Sequence, residues 1–148
     1  MLIFSVLFGD NPVARPPIII NRLDAERLQR LIDDADKQDI PVAEALEIEL
    51  ERCEQVEPEN IPDDVVSMNS SVMFTDINRD KQMTRTLVYP HALSSNENGL
   101  SVMAPIGAAL LGLKVGSTID WTLPNGEQVC LRVDALLFQP EAAGQYHR

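Results

Sequence analysis

The spacing of apolar residues changes its period once along this chain, and the change falls where no regular element can continue. Before residue 57 apolar residues recur at helical intervals; beyond residue 64 they alternate as in strands. Between lies Glu57-Pro-Glu-Asn-Ile-Pro-Asp-Asp64, with two prolines, four acids and one apolar residue. It reads as a linker, because proline lacks the amide proton that helix and sheet both use. A helical part therefore precedes a sheet part, an α+β arrangement. The 148 residues suffice for one modest core and an appendage.

In the helical part, Arg15-Pro-Pro-Ile-Ile-Ile20 is an extended lead-in, since Pro-Pro bars helix and isoleucine is β-branched. Asp24 is the expected N-cap of a first helix, with Leu23 and Leu28 as a hydrophobic staple. Leu28, Leu31, Ile32 and Ala35 carry its apolar stripe to about Lys37. Pro41 suits the first turn of a second helix capped at Asp39 or Ile40. Val42, Ala45, Leu46, Leu50 and Cys53 form its apolar stripe, while Glu44, Glu47, Glu51 and Glu54 form a separate acidic one. Ile48 falls near the acidic side, where packing within a hairpin gives it no role. The two make a short antiparallel, coiled-coil-like hairpin, each helix about 14–16 residues or roughly 21–24 Å long.

Beyond the linker, Ser71–Ile77 and Gln82–Tyr89 are strand-like and joined by the turn Asn78–Lys81. Asn125-Gly126 marks a hairpin between Thr118–Leu123 and a partner strand that places Val129, Leu131, Val133, Ala135 and Leu137 on one face. Pro105 at the first helical position and Gly112 just past the end bracket a short apolar helix. The expectation is a small antiparallel sheet curled around that helix.

Charge and rare residues narrow the functions. The net charge is −11, and residues 15–64 hold 15 acids against 6 bases, whereas residues 65–148 hold 7 against 6. Phosphate backbones repel such a surface, so no direct nucleic-acid contact is expected; basic protein surfaces suit it. Cys53 and Cys130 have no paired spacing and read as free thiols of the cytoplasm, and with only His91 and His147 beside them a zinc site is not expected. The histidines read as solvated surface groups, not catalytic bases. Gly112–Thr118 lacks the Gly-Lys-Ser/Thr ending of a phosphate loop and reads as a turn before a strand. Met1–Phe8 is apolar but too short to span a membrane and lacks the basic start of a signal peptide. No cofactor and no resident metal is expected. Asp33, Asp34, Asp36 and Asp39 at the hairpin tip read as a solvated helix end, although carboxylates there could attract Mg²⁺.

Five segments together carry a family resemblance: Arg15-Pro-Pro-Ile-Ile-Ile-Asn-Arg-Leu-Asp-Ala-Glu-Arg27, Asp64-Val-Val-Ser-Met-Asn-Ser70, Thr86-Leu-Val-Tyr-Pro90, Leu100-Ser-Val-Met-Ala-Pro-Ile-Gly-Ala-Ala-Leu-Leu-Gly-Leu113 and Gln139-Pro-Glu-Ala-Ala-Gly144. They resemble the bacterial Gre transcription elongation factors, and more closely the Rnk family of nucleoside diphosphate kinase regulators. The likeness spans residues 15–148 and leaves residues 1–14 as an unassigned extension. It implies an acidic hairpin over 15–57 and an FKBP-like Gre C-terminal domain over 58–148 that holds the rim of the RNA polymerase secondary channel. Met103, Ala104, Pro105 and Ile106 match the stretch at that contact; Ala104 stands where Gre proteins usually carry serine.

What the resemblance implies is a non-catalytic regulator that occupies the channel mouth, competes with Gre-type factors and affects nucleoside diphosphate kinase indirectly, through expression, with a direct contact to that kinase as the alternative. Gre hairpins are longer and deliver tip carboxylates to the polymerase active site, which a hairpin this short would not reach. Two other readings stand beside it. One is an FKBP-like prolyl isomerase built on Phe74, Tyr89, Trp121, Phe138 and Tyr146; the other is a transcript-cleavage factor using the tip aspartates with Mg²⁺.

Overall fold

Asn21, not Asp24, caps the first helix. The structure, a computed structural model, describes residues 15–147; the apolar stretch Met1–Phe8 lies outside them. Asn21 is extended (φ −75°, ψ 154°), and its side-chain oxygen accepts the amide proton of Asp24 at 2.8 Å. Helix α1 (Arg22–Asp33) thus contains Leu23 in its first turn, and it stops short of Lys37. A 3-10 turn over Lys37–Asp39 leads into α2 (Ile40–Arg52), with Asp39 at the cap position. Cys53 is the C-cap, not a member of the helical stripe. The helices have 12 and 13 residues, or about 18–20 Å each at 1.5 Å per residue.

The hairpin's two ends are strapped together. Ile19–Asn21 (β1) and Glu54–Val56 (β2) pair in parallel, Ile19 opposite Glu54 and Asn21 opposite Val56. Beside this strap Glu49 is 2% exposed, a burial a carboxylate tolerates only when paired. It binds Arg15 at 2.7 Å and Arg52 at 2.8 Å. Arg52 also donates to the Pro16 carbonyl at 2.7 Å, and the Arg15 guanidinium lies 4.7 Å over the Trp121 ring.

Five further strands form one sheet: β3 (Ser71–Asp76), β4 (Lys81–Val88), β5 (Gly99–Ser101), β6 (Thr118–Thr122) and β7 (Gln128–Phe138), in the order β5-β4-β3-β7-β6. The neighbours are antiparallel except β5, which pairs parallel to β4 through Thr86–Gly99 and Val88–Ser101. The expected all-antiparallel sheet is therefore mixed at one edge, because the chain between β4 and β5 returns through a 3-10 segment, Pro90–Ser95, before pairing. Helix α3 (Pro105–Leu110) is the short helix bracketed by Pro105 and Gly112, the latter at φ +81°.

Leu137 was expected on the inner face with Leu131 and Val133; it is 58% exposed. The pairing of β7 with β3 shifts register twice, so that Phe74 faces Val133, Met73 faces Ala135, Val72 faces Leu136 and Ser71 faces Phe138. Each shift leaves one extra residue on β7, first Asp134 and then Leu137, and turns Leu136 toward the core instead. The first extra residue is held by hydrogen bonds to the Asp134 carboxylate from Thr75, Gln82 and Arg132.

One apolar core runs through both parts. Ile18, Ile20, Leu28, Val42 and Leu46 of the lead-in and hairpin join Phe74, Leu87, Leu110, Trp121 and Leu131. The segment after the hairpin takes part as well. Pro58 begins a 3-10 turn and is buried, and Ile61 is 8% exposed, so the proline-rich stretch is packed down and is not a free linker.

Candidate docking site

Ser101 builds the edge that carries Met103–Ile106. Its hydroxyl oxygen accepts the Met103 amide at 3.0 Å, and its carbonyl accepts the Ala104 amide at 2.9 Å. The Ala104 carbonyl then accepts the Ala108 amide at 3.0 Å and opens α3, while Pro105 fills a position that needs no amide donor. All four of Met103, Ala104, Pro105 and Ile106 are half-buried, and Met103 and Ile106 lean against the core. The result is a fixed, mostly apolar edge with one thioether and one branched side chain partly in solvent.

The tip of the hairpin comes to the same side. A cleft of about 190 Å³ is lined by Pro41, Val42 and Ala45 of α2, Pro105 and Ala108 of α3, and Trp121, Thr122 and Pro124. Val42, Ala43 and Leu46 are buried, so α2 lies along the sheet domain and does not stand away from it. Of the tip acids, Asp33, Asp34 and Asp36 are exposed and Asp39 is half-buried; Asp33 accepts from Gln29 at 3.1 Å. Among the described residues no three His, Cys, Asp or Glu side chains are grouped so as to hold a metal ion.

Three of the five described aromatic residues are spent on core packing, while Phe138 is half-buried and Tyr146 is 38% exposed. Phe74 is 1% exposed, Trp121 4% and Tyr89 6%, all within the core cluster. The cleft beside Trp121 is smaller than the roughly 300–1,000 Å³ usual for small-ligand sites. His91 is exposed and its ring stacks on Tyr89 with centroids 6.0 Å apart. Cys53 and Cys130 are both free thiols.

Sequence reasoning missed the polar network that fastens the hairpin to the sheet. Asp24, 4% exposed, accepts from the Tyr89 hydroxyl at 3.0 Å, from the Met68 amide at 3.2 Å and from the Asn21 amide group at 3.2 Å. The same Asn21 amide group donates to Glu141, whose other oxygen accepts from Ser67 at 2.7 Å; Ser67 and Ser70 share a 2.9 Å bond. Burial raises the Asp24 carboxyl to about 6 against the opposing bonds from Tyr89 and Met68, and the Glu141 carboxylate adds to the rise. Burial and the neighbouring Asp24 push the Tyr89 phenol up. The signal was present: Asn21, Asp24, Ser67, Ser70, Tyr89 and Glu141 all lie within the five segments that carry the family resemblance.

With this geometry in place, the comparisons with known proteins fall into line. Residues 61–135 match the family of the C-terminal part of the transcription elongation factors GreA/GreB. A solved prokaryotic transcription elongation factor GreA/GreB from Nitrosomonas europaea superposes with a TM-score of 0.66 at 40% identity, over 84% of this chain and 100% of that one. The GreA of Helicobacter hepaticus (strain ATCC 51449 / 3B1) is 35% identical over 78 residues, 53% of this chain and 48% of its own. The class is therefore that of GreA/GreB-related factors.

Residues 16–56 match the Rnk N-terminus family. The regulator of nucleoside diphosphate kinase of Escherichia coli (strain K12) is 49% identical over 134 residues, 90% of this chain and 98% of its own. Within that class, the chain belongs to the Rnk family. Among the described residues no helix is long and apolar enough to cross a membrane.

Proposed function

We propose that this protein is a non-catalytic transcription regulator that docks on RNA polymerase near the secondary channel and competes there with Gre-type factors. On this reading the sheet domain is an FKBP-like platform, residues 58–148 in the main, and Met103, Ala104, Pro105 and Ile106 are its polymerase contact. Any effect on nucleoside diphosphate kinase is indirect, through expression. The protein acts in the cytoplasm.

The observation that carries the reading is the disposition of the hairpin. Its helices are 12 and 13 residues long, and α2 puts Val42 and Leu46 into the core it shares with the sheet domain. An arm of about 20 Å that is also folded against its own platform supports occupancy of the channel mouth without delivery of carboxylates into it. On this reading Asp33, Asp34, Asp36 and Asp39 stay outside the polymerase active site.

Competition tests it. The protein is expected to displace a Gre factor from core polymerase while leaving arrested complexes uncleaved. Ile106→Asp, which charges a half-buried position at the border of the core, is expected to weaken polymerase binding at least tenfold, about 1.4 kcal/mol, with the fold checked by circular dichroism. Polymerase binding unaffected by Ile106→Asp, or transcript cleavage stimulated by the wild-type protein, would sink the reading.

A further inference from the structure

The outer face of α2 combines two features that a solvated helix has no reason to combine. Ile40 is 44% exposed and Ile48 53% exposed, eight residues apart, so they sit about 12 Å apart along the helix. Helical spacing sets Glu44 one turn before Ile48 and Glu51 one turn after it, with Glu47 alongside. All three glutamates are exposed. Beside this ridge runs an open groove between α1 and α2 of about 470 Å³, lined by Ala25 and Leu50, by Glu26, Glu47 and Glu51, by two glutamines, and by Arg22, which is itself paired with Glu26 and Glu57.

Among the described residues six acids elsewhere are held in ion pairs, while the exposed tip acids Asp33, Asp34 and Asp36 are in none. Arg22 bridges Glu26 and Glu57, Arg15 and Arg52 hold Glu49, Arg79 reaches Asp76 and Glu127, and Arg132 holds Asp134. Among the described residues no ion pair reaches Glu44, Glu47, Glu51 or Glu54. Glu44–Glu47 and Glu47–Glu51 are like charges at i,i+3 and i,i+4 spacing, each mildly destabilising the helix, whereas Glu54 lies beyond the helix end, in β2. Two isoleucines in water between them add unburied apolar area. Both costs are relieved by one kind of surface: lysine or arginine side chains that flank apolar anchors.

We propose that this α2 face is a second docking surface, which receives a basic amphipathic protein segment, its apolar residues on Ile40 and Ile48 and its cations on Glu44, Glu47 and Glu51. Charge complementarity selects the partner. A nucleic acid is repelled, and an all-polar basic segment leaves the isoleucines uncovered. The surface uses other residues than Met103–Ile106, although Pro41, next to Ile40, lines the cleft with Pro105, and it does not depend on the polymerase reading.

The test uses the full chain and two fluorescent helical peptides of equal charge, one of lysine and leucine and one of lysine and serine. The lysine–leucine peptide is expected to bind at least tenfold tighter, and both to weaken several-fold between low and physiological salt. The double variant Ile40→Ser/Ile48→Ser is expected to abolish the preference for the leucine peptide with no loss of helix by circular dichroism. Glu47→Lys/Glu51→Lys is expected to abolish binding of both, and Ile106→Asp to leave both unchanged. An undiminished preference for the leucine peptide in the isoleucine variant would overturn the proposal, as would amide shifts confined to the tip aspartates.

Discussion

Gly107→Ala is expected to cost about 3 kcal/mol or more and to lower the melting temperature by roughly 10 °C, although it adds a single methyl group to a helix. A Cβ at position 107 would lie 2.1 Å from the carbonyl oxygen of Ser101, 3.0 Å from its carbonyl carbon and 3.2 Å from the Val102 Cα. These are backbone atoms, and they cannot rotate away as a side chain would. Ser101 is also the residue that organises the Met103 and Ala104 amides. Relief of the clash therefore means that α3 lifts from β5, and the proposed docking edge deforms with it. Helix propensity alone favours alanine over glycine by about 1 kcal/mol, so the two effects have opposite signs and the measurement discriminates between them. Thermal unfolding of Gly107→Ala beside Ala109→Gly checks it. A melting temperature at or above wild type for Gly107→Ala would show that the helix does not approach the strand so closely.

The elements that could be read from the sequence are those fixed by local chemistry. Gly126 at φ +88° is the turn that Asn125-Gly126 announces, and Pro105 and Gly112 bound α3 because one position needs no donor and the other needs a left-handed backbone. Gly112 is constrained twice, since a Cβ there would also lie 2.8 Å from the Ile18 Cβ. What escaped is what depends on residues far apart in the chain. The β1–β2 strap joins three-residue strands across the whole hairpin, and a three-residue strand has no period to detect. The exposure of Leu137 follows from two extra residues in β7 that only the pairing with β3 reveals.

Asn21 and Asp24 are both good capping residues, and nothing local chooses between them. Burial of Asp24 under Tyr89 and Met68 decides the matter. The candidate site divides in the same way. Met103–Ile106 are proposed as the contact from resemblance alone, and the structure shows Ser101 supporting that segment. Ile48 was visible as an anomaly, and its exposure of 53% is why it had no place in the hairpin.

The stability of wild-type protein is expected to fall between about pH 4 and pH 7, and Asp24→Asn to remove most of that fall. Asp24 titrates at about 6 in the folded protein against an ordinary value of 3.8. Its folded value is the higher one, so its contribution is fully present below 3.8 and is lost as the pH rises through about 6. At about 1.4 kcal/mol per decade, the loss comes to roughly 3 kcal/mol by neutral pH. The groups around it account for the direction. Glu141 is hydrogen-bonded to the same Asn21 amide group, while Arg27 opposes the rise from α1 without cancelling it.

General repulsion in a chain of net charge −11 acts the same way, but it acts on the variant too, so the difference between the two profiles isolates Asp24. An asparagine can keep its oxygen on the Met68 and Asn21 donors and turn its amide toward the Tyr89 oxygen. Asp24→Asn is therefore expected to fold and to be at least as stable as wild type at pH 7. Asp24→Ala leaves the Tyr89 hydroxyl, the Met68 amide and one bond of Asn21 without an acceptor, and is expected to lose about 3 kcal/mol. Urea unfolding of the three proteins at intervals from pH 4 to pH 8 decides the point, and parallel wild-type and Asp24→Asn curves would mean the buried carboxyl is already ionised at pH 4. The Tyr89 and Met68 bonds favour the ionised carboxylate, so the stability lost with rising pH is the cost of burying its charge.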